Sequence, residues 1–134
     1  MISVIIPTLN EKKNISLIIK KLKRIKYIGE IIFVDDNSID GTFQEIKKYA
    51  IKKKIRGYLR TRNKDLSKSV IYGVSKAKYE NILVMDCDMQ HDVKYINKMW
   101  NKFKKGNYEV VVATRFGENR FFGNLGFLRS IISK

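Results

Sequence analysis

The chain is poor in the residues that staple small folds, break elements or titrate near neutrality: one cysteine, one proline and one histidine in 134 residues. The lone cysteine, Cys87, excludes an internal disulfide and a cysteine-built zinc site, and fits a reducing compartment. No run approaches the roughly 18 apolar residues of a spanning helix. The start, Met1-Ile2-Ser3-Val4-Ile5, lacks the charged region of a signal peptide, so a soluble, cytoplasmic chain is expected. Acids are scarce as well, 13 against 28 Lys and Arg, for a formal net charge of +15. That balance points to an acidic partner: nucleic acid, an anionic membrane face or a phosphorylated substrate. What is present is a globular composition, 44% apolar and 31% charged, in a length of about one domain.

Short apolar runs rich in β-branched residues occur at Ser3 to Ile6, Glu30 to Val34, Asn81 to Met85 and Glu109 to Ala113, with a weaker one at Ile55 to Leu59. Each has the length and composition of a buried strand. Between them apolar residues recur at helical spacing, at Ile15, Ile18, Ile19, Leu22 and Ile25, at Phe43, Ile46 and Ala50, at Leu66, Val70, Val74 and Ala77, and at Val93, Ile96, Trp100 and Phe103. Asn10, Asp40 and Asp92 stand where helix N-caps belong. The order β-α-β-α-β-α-β-α-β predicts an α/β domain, a mostly parallel sheet with helices on both faces. In such sheets ligands bind beyond the carboxyl ends of the strands.

Two pairs of the scarce acids stand at those ends, Asp35-Asp36 after the second strand and Asp86-Cys87-Asp88 after the fourth. Paired carboxylates repel and lose solvation unless a cation or donor compensates them. Asp86 and Asp88, with Gln90, offer three oxygen donors of the kind Mg²⁺ or Mn²⁺ prefers, leaving positions open for phosphate oxygens and water. The bland alternative is an Asp-rich turn leading into a capped helix. Asp36 or Asp35 is placed to accept from a base N–H or a ribose hydroxyl, with Ser38 and Gly41 shaping the turn. Neither a dinucleotide fingerprint nor a P-loop is present.

The segments Pro7-Thr8-Leu9-Asn10-Glu11, Asp35 to Thr42, Leu66 to Gly73, Val84 to His91 and Ala113-Thr114-Arg115, in this order and spacing, resemble glycosyltransferase family 2. The nearest likeness is to its dolichol-phosphate mannosyltransferase-like branch, the polyprenyl-phosphate glycosyltransferases. The resemblance implies a GT-A (Rossmann-like) fold, a nucleotide-diphosphate sugar donor (GDP-mannose-like or a UDP-sugar), a polyprenyl-phosphate acceptor and inversion at the anomeric carbon. It places Pro7, Leu9, Glu11, Val34 and Asp36 at the nucleoside, and Asp86, Asp88 and Gln90 at the metal and diphosphate, with Cys87 between them. Arg115 and Arg129 fall at phosphates, a role the planar guanidinium fork suits. Asp88 and Arg115 are the expected catalytic residues. A lipid phosphate arrives ionised, so no strong base is required, and His91 is assigned to holding its turn. Leu9 stands where the family carries an aromatic residue, and Asp65 where it carries glycine. Members of the family continue well beyond Lys134, so residues 1–134 are expected to be one catalytic domain, its donor part, incomplete at the C-terminus.

The basic surface, with the apolar and aromatic segment Phe121 to Ile132, predicts peripheral binding at an anionic membrane face, completed by a membrane-anchoring subunit or self-association. Two other classes stay open. A nucleic-acid-binding module would use the positive charge, but the lysines lie mostly on helix faces and no aromatic-interleaved basic motif appears. A non-catalytic fragment would bind donor without transferring sugar.

Overall fold

The computed structural model describes residues 1–50, 54–89, 92, 94–106 and 108–113. They fall in two compact units, Met1–Val93 and Lys94–Lys134. The first alternates β1 (Ile2–Thr8), α1 (Lys12–Leu22), β2 (Ile28–Asp35), α2 (Thr42–Tyr49), β3 (Ile55–Leu59), α3 (Leu66–Ser75) and β4 (Asn81–Val84); α4 (Lys94–Lys105) belongs to the second. The four strands form one parallel sheet in the order β3-β2-β1-β4. β1 and β2 are buried along their whole length, which is why they read as continuous rather than alternating apolar runs.

The steps β1-α1-β2 and β2-α2-β3 both move toward the β3 edge, so right-handed crossovers lay α1 and α2 on one face, and the return from β3 to β4 lays α3 on the other. Side-chain parity agrees. Gly57 of β3 faces Ile46 and Phe43 of α2, whereas Ile5 and Val34 face Gly73 of α3. Gly73 has no Cβ because α3 lies directly on those two side chains, over the cluster Ile5, Ile32 and Val34. On the same face, near the amino ends of the strands, Glu30 is buried inside β2. It accepts from the Ser3 hydroxyl at 2.7 Å and the Lys78 amide at 2.6 Å, and pairs with Arg56 at 2.8 Å. That carboxylate ties β1, β2 and β3 to the chain entering β4, and every charge-bearing oxygen has a partner.

Two expectations are corrected. Residues 109–113 carry no strand, and Val110 and Val112 are exposed. Composition alone set that expectation, and β-propensity is decided by the neighbours a segment packs against rather than by its own residues. Asn10 does not cap α1 either. Its φ is +58°, and Glu11 occupies the cap position without a side-chain bond. The first amide of α1, Lys12 N–H, goes instead to Asp40 Oδ2 at 3.1 Å. Among the described residues no helix is long and apolar enough to cross a membrane.

Candidate functional site

The chain reverses its direction across the sheet between β1 and β4, which makes the carboxyl end of that pair the expected crevice. The β1–β4 register ends at Ile5↔Val84, with one more bond from Met85 N–H to the Ile5 carbonyl at 3.2 Å. Backbone groups of β1 alternate sides: Ile5 bonds toward β4, and Thr8 bonds toward β2 through Asp36 N–H at 2.9 Å. Pro7 therefore faces the side where β4 has already ended. Its missing N–H costs nothing there.

A cleft of about 360 Å³ opens at this point. Pro7, Thr8, Leu9 and Glu11 line it from the end of β1, Asp36 from the end of β2, Lys64, Asp65, Leu66 and Ser69 from the start of α3, and Asp86, Cys87 and Asp88 from beyond β4. Five of the 13 acids in a chain of net charge +15 thus line one cleft, against a single lysine. Of the five only Asp36 is buried; Glu11, Asp65 and Asp88 are half-buried and Asp86 is exposed.

The two acids at the end of β2 have separate tasks. Asp35 is fully buried and accepts from the Thr8 hydroxyl at 3.0 Å, the Ser38 hydroxyl at 2.6 Å and the Ser38 amide at 3.0 Å. Its neighbour faces the cleft. Asp36 Oδ1 takes Arg60 Nη1 at 2.7 Å, and Oδ2 takes the Asp65 amide at 2.6 Å. Arg60 also donates to the Asp65 carbonyl at 3.0 Å and to the Ser69 hydroxyl, so one guanidinium braces Asp36 against the start of α3.

Much of the Asp35 to Thr42 segment serves as a staple between two loops. Asn10 N–H donates to Ser38 Oγ at 2.8 Å, Ile39 N–H to Asn10 Oδ1 at 3.1 Å, and Glu11 N–H to Thr42 Oγ1 at 2.8 Å. Gly41, at φ +89°, allows the turn that brings Asp40 back over Thr42. Burial raises the Asp40 pKa, but hydrogen bonds from the Thr42 hydroxyl and from the Lys12 and Thr42 amides outweigh it and hold the carboxyl below its usual range.

Beyond β4, Asp86, Cys87 and Asp88 all line the cleft, and of the three Cys87 is the buried one. Burial pushes the Cys87 thiol up to about 12, and the nearby negative charges of Glu11, Asp88 and Asp86 add to the shift. Met89 takes a left-handed φ of +62° and turns the chain immediately after Asp88. Among the described residues no group of three or more His, Cys, Asp and Glu side chains is placed to hold a metal ion. Asp86 and Asp88 are two carboxylates on one cleft, and Mg²⁺ is commonly held by one or two carboxylates with substrate phosphates and water filling the remaining positions.

Of the sequence-predicted residues, Pro7, Leu9, Glu11, Asp36, Asp86, Cys87 and Asp88 line this one cleft. Val34 does not. Its side chain is fully buried beneath Gly73. Gln90, His91, Arg115, Arg129 and the Phe121 to Ile132 segment lie outside the described residues. Sequence reasoning missed Arg60 and Lys64, and took in Ser69 only as part of the Leu66 to Gly73 segment. It noted Asp65 only as a replaced glycine, although an acid just before the first apolar residue of a helix is an N-cap signal. Asp65 indeed caps α3, accepting from Lys68 N–H at 3.0 Å. That bond, outweighing desolvation, lowers its pKa.

Residues 3–130 match the profile of Glycosyl transferase family 2. The chain belongs to this family. Family relatives include a dolichol-phosphate mannosyltransferase of Pyrococcus furiosus, 35% identical over 99% of this chain and 38% of that protein. A putative glycosyltransferase CsbB of Bacillus subtilis is 33% identical over 99% of this chain and 40% of its own length. The chain thus spans about two fifths of the length of these curated relatives. Among solved structures, S. aureus TarS 1-349 in complex with UDP-GlcNAc aligns with a TM-score of 0.64 at 25% identity, over 78% of this chain and 31% of that one. The expected GT-A architecture of the family is the one observed, a mostly parallel sheet with helices.

Proposed function

We propose that the chain is the donor-binding part of a glycosyltransferase that moves a sugar from a nucleotide-diphosphate sugar to a polyprenyl phosphate at a membrane face. The observation that carries this reading is the acidic cleft of a strongly basic chain, placed at the switch point of the sheet. A diphosphate is repelled by carboxylates, and a divalent cation beside Asp86 and Asp88 offsets that repulsion. The names of the P. furiosus mannosyltransferase and of the UDP-GlcNAc complex of TarS support donor and acceptor of this chemistry.

Asp86 and Asp88, with Gln90, would hold Mg²⁺ or Mn²⁺. When bound, the ion neutralises charge on the departing diphosphate. Asp36 accepts from the nucleoside, and its orientation is fixed by Arg60 and the Asp65 amide before any ligand arrives. Pro7 and Leu9 give the base an apolar wall, and Arg115 and Arg129 supply forked donors to phosphate oxygens. An acceptor that is already an anion needs no general base. A sugar hydroxyl acceptor would need one.

Calorimetry with GDP and UDP tests the site. Binding of one of them is expected with Mn²⁺ or Mg²⁺ and is lost with chelator, and Asp88→Asn lowers affinity by roughly one to two decades, as the loss of a charged contact does. Equal affinity with and without metal would overturn the assignment of Asp86 and Asp88. Transfer of labelled sugar to a polyprenyl phosphate, rather than to water or a free sugar, tests the acceptor.

A further inference from the structure

Helix α4 is the most one-sidedly charged element described. Its twelve residues, KYINKMWNKFKK, hold five lysines and no acid. Ile96, Trp100 and Phe103 recur at spacings of four and three and share one stripe. Ile96 is buried, and Trp100 stacks on Phe103 with ring centroids 6.0 Å apart. At 100° per residue the opposite stripe is Lys94, Lys98, Lys102, Lys105 and Tyr95. All five are exposed. The Lys94 and Lys98 ammonium groups stand 5.2 and 5.6 Å from the Tyr95 ring centroid.

We propose that this face of α4 docks on an anionic lipid surface. Clusters of four to eight basic residues on an amphipathic helix are the pattern that anionic headgroups attract. The details of the face favour lipid over nucleic acid. Every cation is lysine, a flexible point charge whose stem lies along apolar surface while its head reaches outward, and none is the arginine fork that commonly meets nucleic-acid phosphates. The half-exposed phenol of Tyr95 sits among those ammonium groups, as aromatic rings do at headgroup depth. The purpose of such docking rests on the lipid-phosphate acceptor proposed above, because an enzyme acting on a membrane-held phosphate must meet the bilayer. The docking itself requires no acceptor.

Sedimentation of the full chain with vesicles tests it, using phosphatidylcholine alone or mixed with phosphatidylglycerol, both free of polyprenyl phosphate. Binding is expected only with the anionic lipid and falls as salt rises. Each lysine contributes about fivefold to partitioning. The pair Lys98→Gln and Lys102→Gln should therefore lower it by about 25-fold, and Tyr95→Ser by a smaller factor. The pair Lys20→Gln and Lys21→Gln on α1 removes the same charge and should change it little. Parental circular dichroism and unchanged GDP or UDP binding by all variants show that the fold and the cleft are intact. Equal losses from the α1 and α4 pairs, equal binding to neutral vesicles, or displacement from vesicles by a single-stranded RNA whose binding fails in the same α4 variant would each overturn the proposal. Vesicle binding without nucleotide binding would leave α4 docking standing and remove the donor reading instead.

Discussion

Replacing Arg60 by methionine tests what holds Asp36 in place. The guanidinium donates to Asp36 at 2.7 Å, to the Asp65 carbonyl at 3.0 Å, to Ser69, and through Nη2 to the Asn63 carbonyl at 3.3 Å. The ion pair is mostly out of water, with side-chain exposures of 11% for Arg60 and 7% for Asp36. Methionine keeps most of the stem and removes the charge, which leaves Asp36 with the Asp65 amide and four other carboxylates around the cleft. Breaking one side of a buried pair costs about 3 to 5 kcal/mol, and because the cleft admits solvent the low end, about 3, applies. With a urea dependence of roughly 2 kcal/mol per molar, the unfolding midpoint should drop by about 1.5 M. Asp36→Asn should cost less, since a neutral side chain no longer needs the guanidinium. In the double variant the two losses should fall short of additive by about 2 kcal/mol. A loss below about 1 kcal/mol for Arg60→Met, or strict additivity, would refute the argument that this pair positions Asp36.

Three further outcomes are expected. Gly73→Ala places a Cβ inside contact distance of Ile5 Cγ2 and 3.1 Å from Val34 Cγ2, so α3 must lift from the sheet at a cost of about 1 to 3 kcal/mol by thermal or urea unfolding. Asp40→Ala removes the acceptor of the Lys12 and Thr42 amides and should cost about 1 kcal/mol. Because the folded pKa of Asp40 is lowered, this contribution is present above its ordinary pKa of 3.8 and fades as pH falls, so wild type and variant should converge in acid unfolding. Cys87, raised from 9.0 to about 12, should react with a disulfide reagent at pH 8 roughly a thousandfold more slowly in the folded than in the unfolded chain. Its raised pKa stabilises the fold below pH 9, and that stability is lost as pH climbs toward 12.

The alternation of elements, the buried pair β1 and β2, and the acids at the strand ends were all written in the sequence, because apolar periodicity and the scarcity of acids are local properties of the chain. Partnership was not. Glu30 reads as an acid spoiling an apolar run until Ser3, Arg56 and Lys78 surround it, from 26 to 48 positions away. Asn10 reads as a cap, but its left-handed φ hands that task to Asp40, which takes the Lys12 amide from 28 positions further on. Arg60 reads as one of 28 basic residues, and only the meeting of β2, β3 and α3 makes it the brace of Asp36. The division between Asp35 and Asp36 is the clearest case. Successive strand residues face opposite sides, so the sequence alone determines that the two acids part company. The strand order and the return to β4 decide which side becomes the cleft, and so which of the two is left to meet a ligand.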